Sequence, residues 1–185
     1  MLIRPTTASD AADIDALLDV AFGRGRHART ASRLRAGAQP LAGASLVARG
    51  ADGELLGSVQ YWPIVLEADG DRMPLTLLGP VAVAAAARSI GLGRRLIAAS
   101  LDIADASGLD PILLIGDESY YGRFGFDAAA TGRWTLPGPV ERPRLLLRQR
   151  IARPLPGEAA VVPAPAMSTA PTTGPAGQIF VSSMA

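Results

Sequence analysis

The 185-residue sequence has no cysteine, no lysine and a single histidine, His27. Without cysteine there can be no disulfide, no thiolate metal site and no cysteine nucleophile. One histidine leaves a serine hydrolase almost nothing to build on. His27 lies in a Gly/Arg-rich segment with no nearby carboxylate in sequence to orient it, so a catalytic role is not assigned to it. No apolar run approaches the roughly 18 residues of a membrane span. The opening Met1-Leu-Ile-Arg-Pro5 lacks the basic-then-apolar layout of a signal peptide. The net charge is only +1, which excludes a strong polyelectrolyte, and a hydrophobic content of 49% excludes a disordered chain. What remains is one cytoplasmic globular domain large enough to bury a substantial core, with no metal site expected. All 18 basic residues are arginine, a uniformity read as genome composition rather than selection for phosphate binding.

The most informative segment is Arg88-Ser-Ile-Gly-Leu-Gly93. It follows the apolar run Leu75–Val83 and opens an amphipathic run, Arg94–Ala106. Glycines between a strand and a helix allow a tight turn and a close approach of backbone to ligand. The first-turn N–H groups then point at an anion with the helix dipole behind them. Two other phosphate loops fit poorly. A dinucleotide-binding turn wants a third glycine where Leu96 stands, and Gly91-Leu-Gly-Arg-Arg95 lacks the Gly-Lys-Ser/Thr ending of an NTPase loop.

Around this segment the pattern alternates. Leu2-Ile3 predicts a short strand, and Ser9 or Asp10 a cap for a helix carrying Ile14, Leu17, Leu18 and Ala21. Thr30–Ala36 predicts a second helix. Ser45–Arg49 and Glu54–Leu66 read as strands joined at Asp52-Gly53, and Asp69-Gly70 turns the chain into Met73–Val83. After the helix from about Gly91 to Ala106, Ile112–Ile115 is short and apolar enough for a buried central strand. Trp134–Leu136 and Arg144–Gln149 supply two late strands. Antiparallel strands followed by a strand–helix–strand unit give an α/β class with a mixed sheet.

One helix and one strand after the glycine turn stands Gly116-Asp-Glu-Ser-Tyr-Tyr-Gly-Arg-Phe-Gly-Phe126. Together with Leu78-Gly-Pro-Val-Ala-Val83, Met1-Leu-Ile-Arg4 and Ile14-Asp-Ala-Leu-Leu18, it resembles the Gcn5-related N-acetyltransferase (GNAT) family, and within it the bacterial YhbS-like branch. The likeness spans roughly residues 1–150 and is specific in its central third. It implies a GNAT-type, mostly antiparallel sheet with a central strand–helix–strand acyl-CoA-binding unit. It also implies transfer of acetyl from acetyl-CoA to a primary amine of a small molecule or peptide. Pantetheine would run along Val81, Ala82 and Val83, and pyrophosphate would sit on Arg88, Ser89, Ile90, Gly91, Leu92, Gly93 and Arg94. The family pattern selects Tyr121 over Tyr120 as the acid that protonates the CoA thiolate. On an extended segment adjacent tyrosines face opposite ways, so Tyr120 is expected in the core. Phe124 and Phe126 are expected to pack. The strand Leu75–Val83 carries no acid, which leaves a water chain, Asp117 or Glu118 as the base.

Two regions have competing readings. Arg24, Arg26, Arg29, Arg33, Arg35 and Arg49 occur with no acid between residues 20 and 51. They are either a solvated face or an attractor for an anionic acceptor, the CoA 3′-phosphate or RNA; lacking aromatic interleaving, RNA or aminoacyl-tRNA is the lesser alternative. A non-catalytic acyl-CoA-binding regulatory domain is the other rival. Residues 152–185 are rich in Pro, Ala, Ser, Thr and Gly and are expected to be a flexible extension of a domain spanning 1–151. Ile179-Phe-Val181 is its one apolar cluster and a candidate dock on this or a second subunit, as in a homodimer.

Overall fold

The computed structural model describes residues 1–165. Strand β1 (Leu2–Pro5) enters helix α1 (Ala11–Phe22) through a short 3-10 turn, and α2 (Thr30–Leu34) follows. Then come β2 (Leu46–Arg49), β3 (Leu55–Ala68) and β4 (Asp71–Val83). The remaining elements are α3 (Leu92–Ala106), β5 (Ile112–Ile115), the single-turn α4 (Glu118–Tyr121), β6 (Arg133–Thr135), β7 (Leu145–Arg148) and β8 (Glu158–Pro163). The sheet runs β1-β2-β3-β4-β5-β7, with β8 between β3 and β6. The β4–β5 and β6–β8 pairs are parallel and the rest antiparallel, so the expected α/β, mostly antiparallel class is the one observed.

Helix α3 carries Leu92, Leu96, Ile97, Leu101 and Ala104 on one stripe. That stripe packs on Val59, Tyr61, Leu78, Ile112 and Leu146 on one face of the sheet. On the opposite face, Ile14, Leu17 and Leu18 of α1 meet Val47 and Ala82, and Leu34 joins Leu75, Leu77, Leu113 and Trp134. Of the two expected caps, Asp10 and not Ser9 stands at the N-cap position of α1, but its side chain makes no cap hydrogen bond to that helix. Thr7 caps the preceding turn, and Asp10 is fully buried as its reciprocal partner, held by Arg4 at 2.7 and 2.8 Å and by Arg49 at 2.7 Å. Burial opposes ionisation, but the hydrogen bonds from Arg4 first, and from Arg49 and Thr7, hold this carboxyl well below the usual range.

One irregularity decides the geometry of the site. Val81 pairs with Val59 but Leu78 pairs with Tyr61, so β4 gains one residue at Gly79-Pro80. A bulge of this kind flips every later side chain to the other face. Leu78 points toward α3, yet Ala82 points toward α1, while Val81 and Val83 now pack on the α3 side. Gly79 sits at φ +124°, a conformation few side-chain-bearing residues adopt.

The boundary expected after residue 151 is corrected. Residues 158–163 form β8, which pairs with β3 over Ile64–Glu67 and with β6 over Arg133–Thr135, burying Val161. Strand pairing and one buried valine hold a segment whose composition alone carries no periodic apolar face. Ile179–Val181 lies outside the described residues.

Candidate active site

Strand β4 is paired along its whole length on one edge and along only part of the other. On the β3 side the ladder reaches Val83 opposite Gly57. On the β5 side it consists of Thr76–Ile112 and Leu77–Leu113. Beyond Leu77 the pairing of the two parallel strands ends, and the β4 edge from Leu78 to Val83 has no neighbouring strand among the described residues. Backbone N–H and C=O groups left on such an edge are a template for an added extended chain.

Past the end of that pairing lies a cavity of about 850 Å³. Its floor is Leu77–Val81 of β4 and Ile115–Asp117 after β5. One wall is α4 with Tyr120 and Tyr121, and the other is the region between Phe22 and Arg35. Pro139, Val140, Glu141 and Arg144 complete the rim.

At the far end of the open edge lies the glycine turn. Residues Ala85–Ile90 form a 3-10 turn, and Gly91, at φ +69°, switches the chain into α3. Nothing lies within 4 Å of where a Gly91 side chain would start, so this glycine answers a backbone requirement. Gly93 differs: a Cβ there would stand 3.2 Å from the Tyr120 hydroxyl and 3.5 Å from Val83 Cγ2. The α3 first turn is thus closed against β4 and α4. The N–H groups of Leu92, Gly93 and Arg94 lie in that first turn and have no intrahelical acceptor. Leu92 itself is core, so only its backbone is available to a ligand. Arg88, Ser89, Ile90 and Arg94 are exposed, and Arg88 Nε lies 3.4 Å from the Val83 carbonyl.

Of the residues expected to meet a cofactor, Val81 and Tyr121 line the cavity, Val83 touches the glycine turn and Ala82 faces away into the α1 core. The tyrosines correct the expectation of an extended segment. Both stand on the helical turn α4, half-buried, their rings 5.0 Å apart edge to face, and both line the cavity. Tyr120 reaches Gly93, whereas Tyr121 lies over Gly116 and packs edge-on against Phe126. Burial pushes the Tyr121 hydroxyl up to about 12, so at neutral pH it is a proton donor. Phe126 is core as expected.

Among the acids, Asp117 lines the cavity with its Oδ1 3.0 Å from Arg144 Nε, and Glu118 does not line it. Glu141 does, and nothing in its sequence context marked it. His27 is exposed and is not among the lining residues, although its neighbours Arg26 and Ala28 are. Among the described residues no cluster of His, Cys, Asp and Glu is built to hold a metal ion, and no helix is long and apolar enough to cross a membrane.

The arginine-rich segment is not a uniform solvated face. Arg26 is buried and bonded to Asp19 at 2.8 Å and Asp15 at 3.0 Å, and Arg49 to Asp10 and Asp13. Arg33 donates to the Pro137 carbonyl, and Arg29 donates to the Phe22 carbonyl and stacks on its ring. The acids that answer Arg26 and Arg49 come from α1 and the turn before it, outside the stretch that is acid-free in sequence.

Comparison with known proteins places this arrangement. Residues 2–129 match the family model described as an acetyltransferase (GNAT) domain. The chain is 34% identical over 130 residues to the uncharacterized N-acetyltransferase YhbS of Escherichia coli K12, covering 70% of this chain and 75% of that one. It is 28% identical over 136 residues to the uncharacterized N-acetyltransferase YjhQ of the same organism, covering 73% and 75%. The crystal structure of E. coli YhbS in complex with CoA superposes with a TM-score of 0.65 at 30% identity, over 80% of each chain. A GNAT family acetyltransferase of Brucella melitensis in complex with acetyl-CoA gives 0.64 at 28% identity, over 89% of this chain and 96% of that one.

Proposed function

The chain belongs to the Gcn5-related N-acetyltransferase family, and from that premise we propose that it moves the acetyl group of acetyl-CoA onto a primary amine. The observation that carries this reading is the half-paired strand β4. Its open edge ends at a helix N-terminus on one side and meets a half-buried tyrosine across a cavity on the other. A pantetheine arm lies on Val81–Val83 as an extra strand, exchanging hydrogen bonds with backbone groups. The pyrophosphate rests on the amides of the α3 first turn, with Arg88 and Arg94 adding positive charge.

The acceptor nitrogen, as the neutral amine, attacks the thioester carbonyl carbon. The C–N bond forms, the C–S bond breaks, and the electron pair leaves on sulfur. Backbone donors of β4 stabilise the intervening oxyanion. Tyr121 gives its proton to the thiolate, and the extra proton on nitrogen leaves through water toward Asp117 or Glu141. Acetyl-CoA is a cytoplasmic metabolite, and we place the reaction there.

Turnover decides between an enzyme and an acyl-CoA-binding module. Acetyl-CoA is incubated with the full chain and a panel of primary amines, with free thiol and acetylated product measured together. Equal appearance of both is the expected result. Tight acetyl-CoA binding without acetylation of any amine would make the chain a binding module.

A further inference from the structure

Among the described residues five arginines and two acids line the cavity. Arg26 is neutralised by Asp15 and Asp19, and Arg144 has Asp117 3.0 Å from its Nε, although that N–H makes no hydrogen bond. Arg29 and Arg33 are exposed and each is engaged with a carbonyl. Arg35 is different. It is half-buried, lies over the ring of Trp62 at 5.4 Å, and among the described residues has no carboxylate within ion-pair distance. Its hydrogen bonds are one of 2.8 Å to Ser32 Oγ and a long one of 3.4 Å to the Gly79 carbonyl, which leaves most of its five N–H donors without a partner.

Such a group costs stability. Burial lowers the Arg35 guanidinium to about 10, the field of Arg26 adds to this, and Asp15, whose field opposes it, is already taken by Arg26. At neutral pH the side chain is still a cation. A buried, unpaired charge is normally paired or removed. One that faces the substrate cavity instead marks where a counter-charge arrives with the substrate.

We propose that the acceptor amine carries a carboxylate and that Arg35 receives it. This rests on the acetyl-transfer reading above. A carboxylate is favoured over a phosphate because, among the described lining residues, Arg35 is the one half-buried guanidinium without a carboxylate, Arg29 and Arg33 being exposed; it matches one negative charge and not two, and its planar fork suits bidentate contact. The spacing limits the acceptor further. Arg35 donates to the Gly79 carbonyl, two residues before Val81, where the pantetheine arm is proposed to begin. A carboxylate on Arg35 and an amine at the thioester therefore belong to groups only a few bonds apart. The acceptor class is therefore a compact amino acid.

The test uses matched pairs: free amino acids and their carboxamides, each with acetyl-CoA and the full chain. The unmodified protein is expected to favour the acid by about 10²-fold in kcat/KM, because the amide leaves the half-buried guanidinium unmatched. In Arg35→Leu that preference falls to within about threefold, mainly through KM for the acid, and Arg35→Lys recovers part of it. Calorimetric affinity for CoA and the thermal midpoint of Arg35→Leu are measured alongside and should not fall, since removing an unpaired, half-buried charge relieves a cost. Equal use of acids and amides by the unmodified protein overturns the proposal, as does an acid preference that survives in Arg35→Leu. Turnover of neutral amines only also overturns it while leaving acetyl transfer standing. Failure to acetylate any amine, acidic or neutral, counts against the acetyl-transfer reading itself, and binding of N-acetylglycine over N-acetylglycinamide to the CoA-bound protein still decides the Arg35 site.

Discussion

Tyr121 is the residue on which the chemistry is most exposed to test. With its hydroxyl near 12, it is a weaker acid than the thiol whose proton it supplies, whose ordinary value is about 8.5. Transfer is therefore uphill until the C–S bond is largely broken, and much of the benefit is a hydrogen bond to developing charge. Tyr121→Phe should lower kcat by roughly 10²-fold, the low end for a positioned acid, with acetyl-CoA affinity nearly unchanged. Because the group stays protonated across the working range, the rate should rise with pH as the acceptor amine loses its proton. No falling limb from Tyr121 should appear below about pH 11. Initial rates from pH 6 to 10 for both proteins check this; a falling limb that vanishes in Tyr121→Phe would require the tyrosine to titrate far lower than its burial implies. The family pattern selects Tyr121 by its spacing to Phe124-Gly-Phe126, while the alternation expected to separate it from Tyr120 is not what the structure shows. A helical turn, not strand alternation, separates Tyr120, against Gly93, from Tyr121, over Gly116.

At the scale of elements, α3 is where sequence and structure agree best, since a glycine turn between an apolar strand and an amphipathic stripe has few other solutions. Its two glycines nevertheless do different work, and a substitution pair separates them from the charge effect. Gly91→Asn keeps a residue that tolerates the left-handed conformation and adds no charge. Gly91→Asp is nearly the same size but places an anion at the cradle. Calorimetry with acetyl-CoA should show a modest loss for Asn and at least about tenfold more for Asp, a gap of about 1.4 kcal/mol or more. Equal losses would mean that no anion sits there. The bulge at Gly79-Pro80 was legible in kind, since Gly and Pro inside a strand mark such sites, but its one-residue size shows only in the register with Val59 and Tyr61. Arg35 could not be singled out from the other arginines of its segment, any of which could attract an anionic acceptor, and Glu141 carried no signal, for a related reason. Whether a charge in a loop is solvated or faces a cavity depends on which distant segments pack beside it. Here those segments are β4 and the stretch from Pro139 to Arg144.

For the molecule as a whole, the long strand β3 shares one edge between two partners: β2 covers Leu55–Val59 and β8 covers Ile64–Glu67. Removing residues after Arg153 takes away β8, including the buried Val161. Losing that side chain's burial and the ladder bonds should cost about 4 kcal/mol, lowering the thermal midpoint by roughly 10 °C. An unchanged midpoint would show that β8 contributes nothing to the fold. The same topology sets the order of events during synthesis. Both elements of the acyl-donor cleft, β4 and α3, leave the ribosome well before Glu158, yet the outer half of β3 stays uncovered until β8 follows. During that interval the nascent chain displays Ile64–Glu67 as a bare strand edge, open to pairing with a neighbouring polypeptide. Ribosome stalling or premature termination just short of residue 158 therefore leaves a nearly complete enzyme that is prone to self-association.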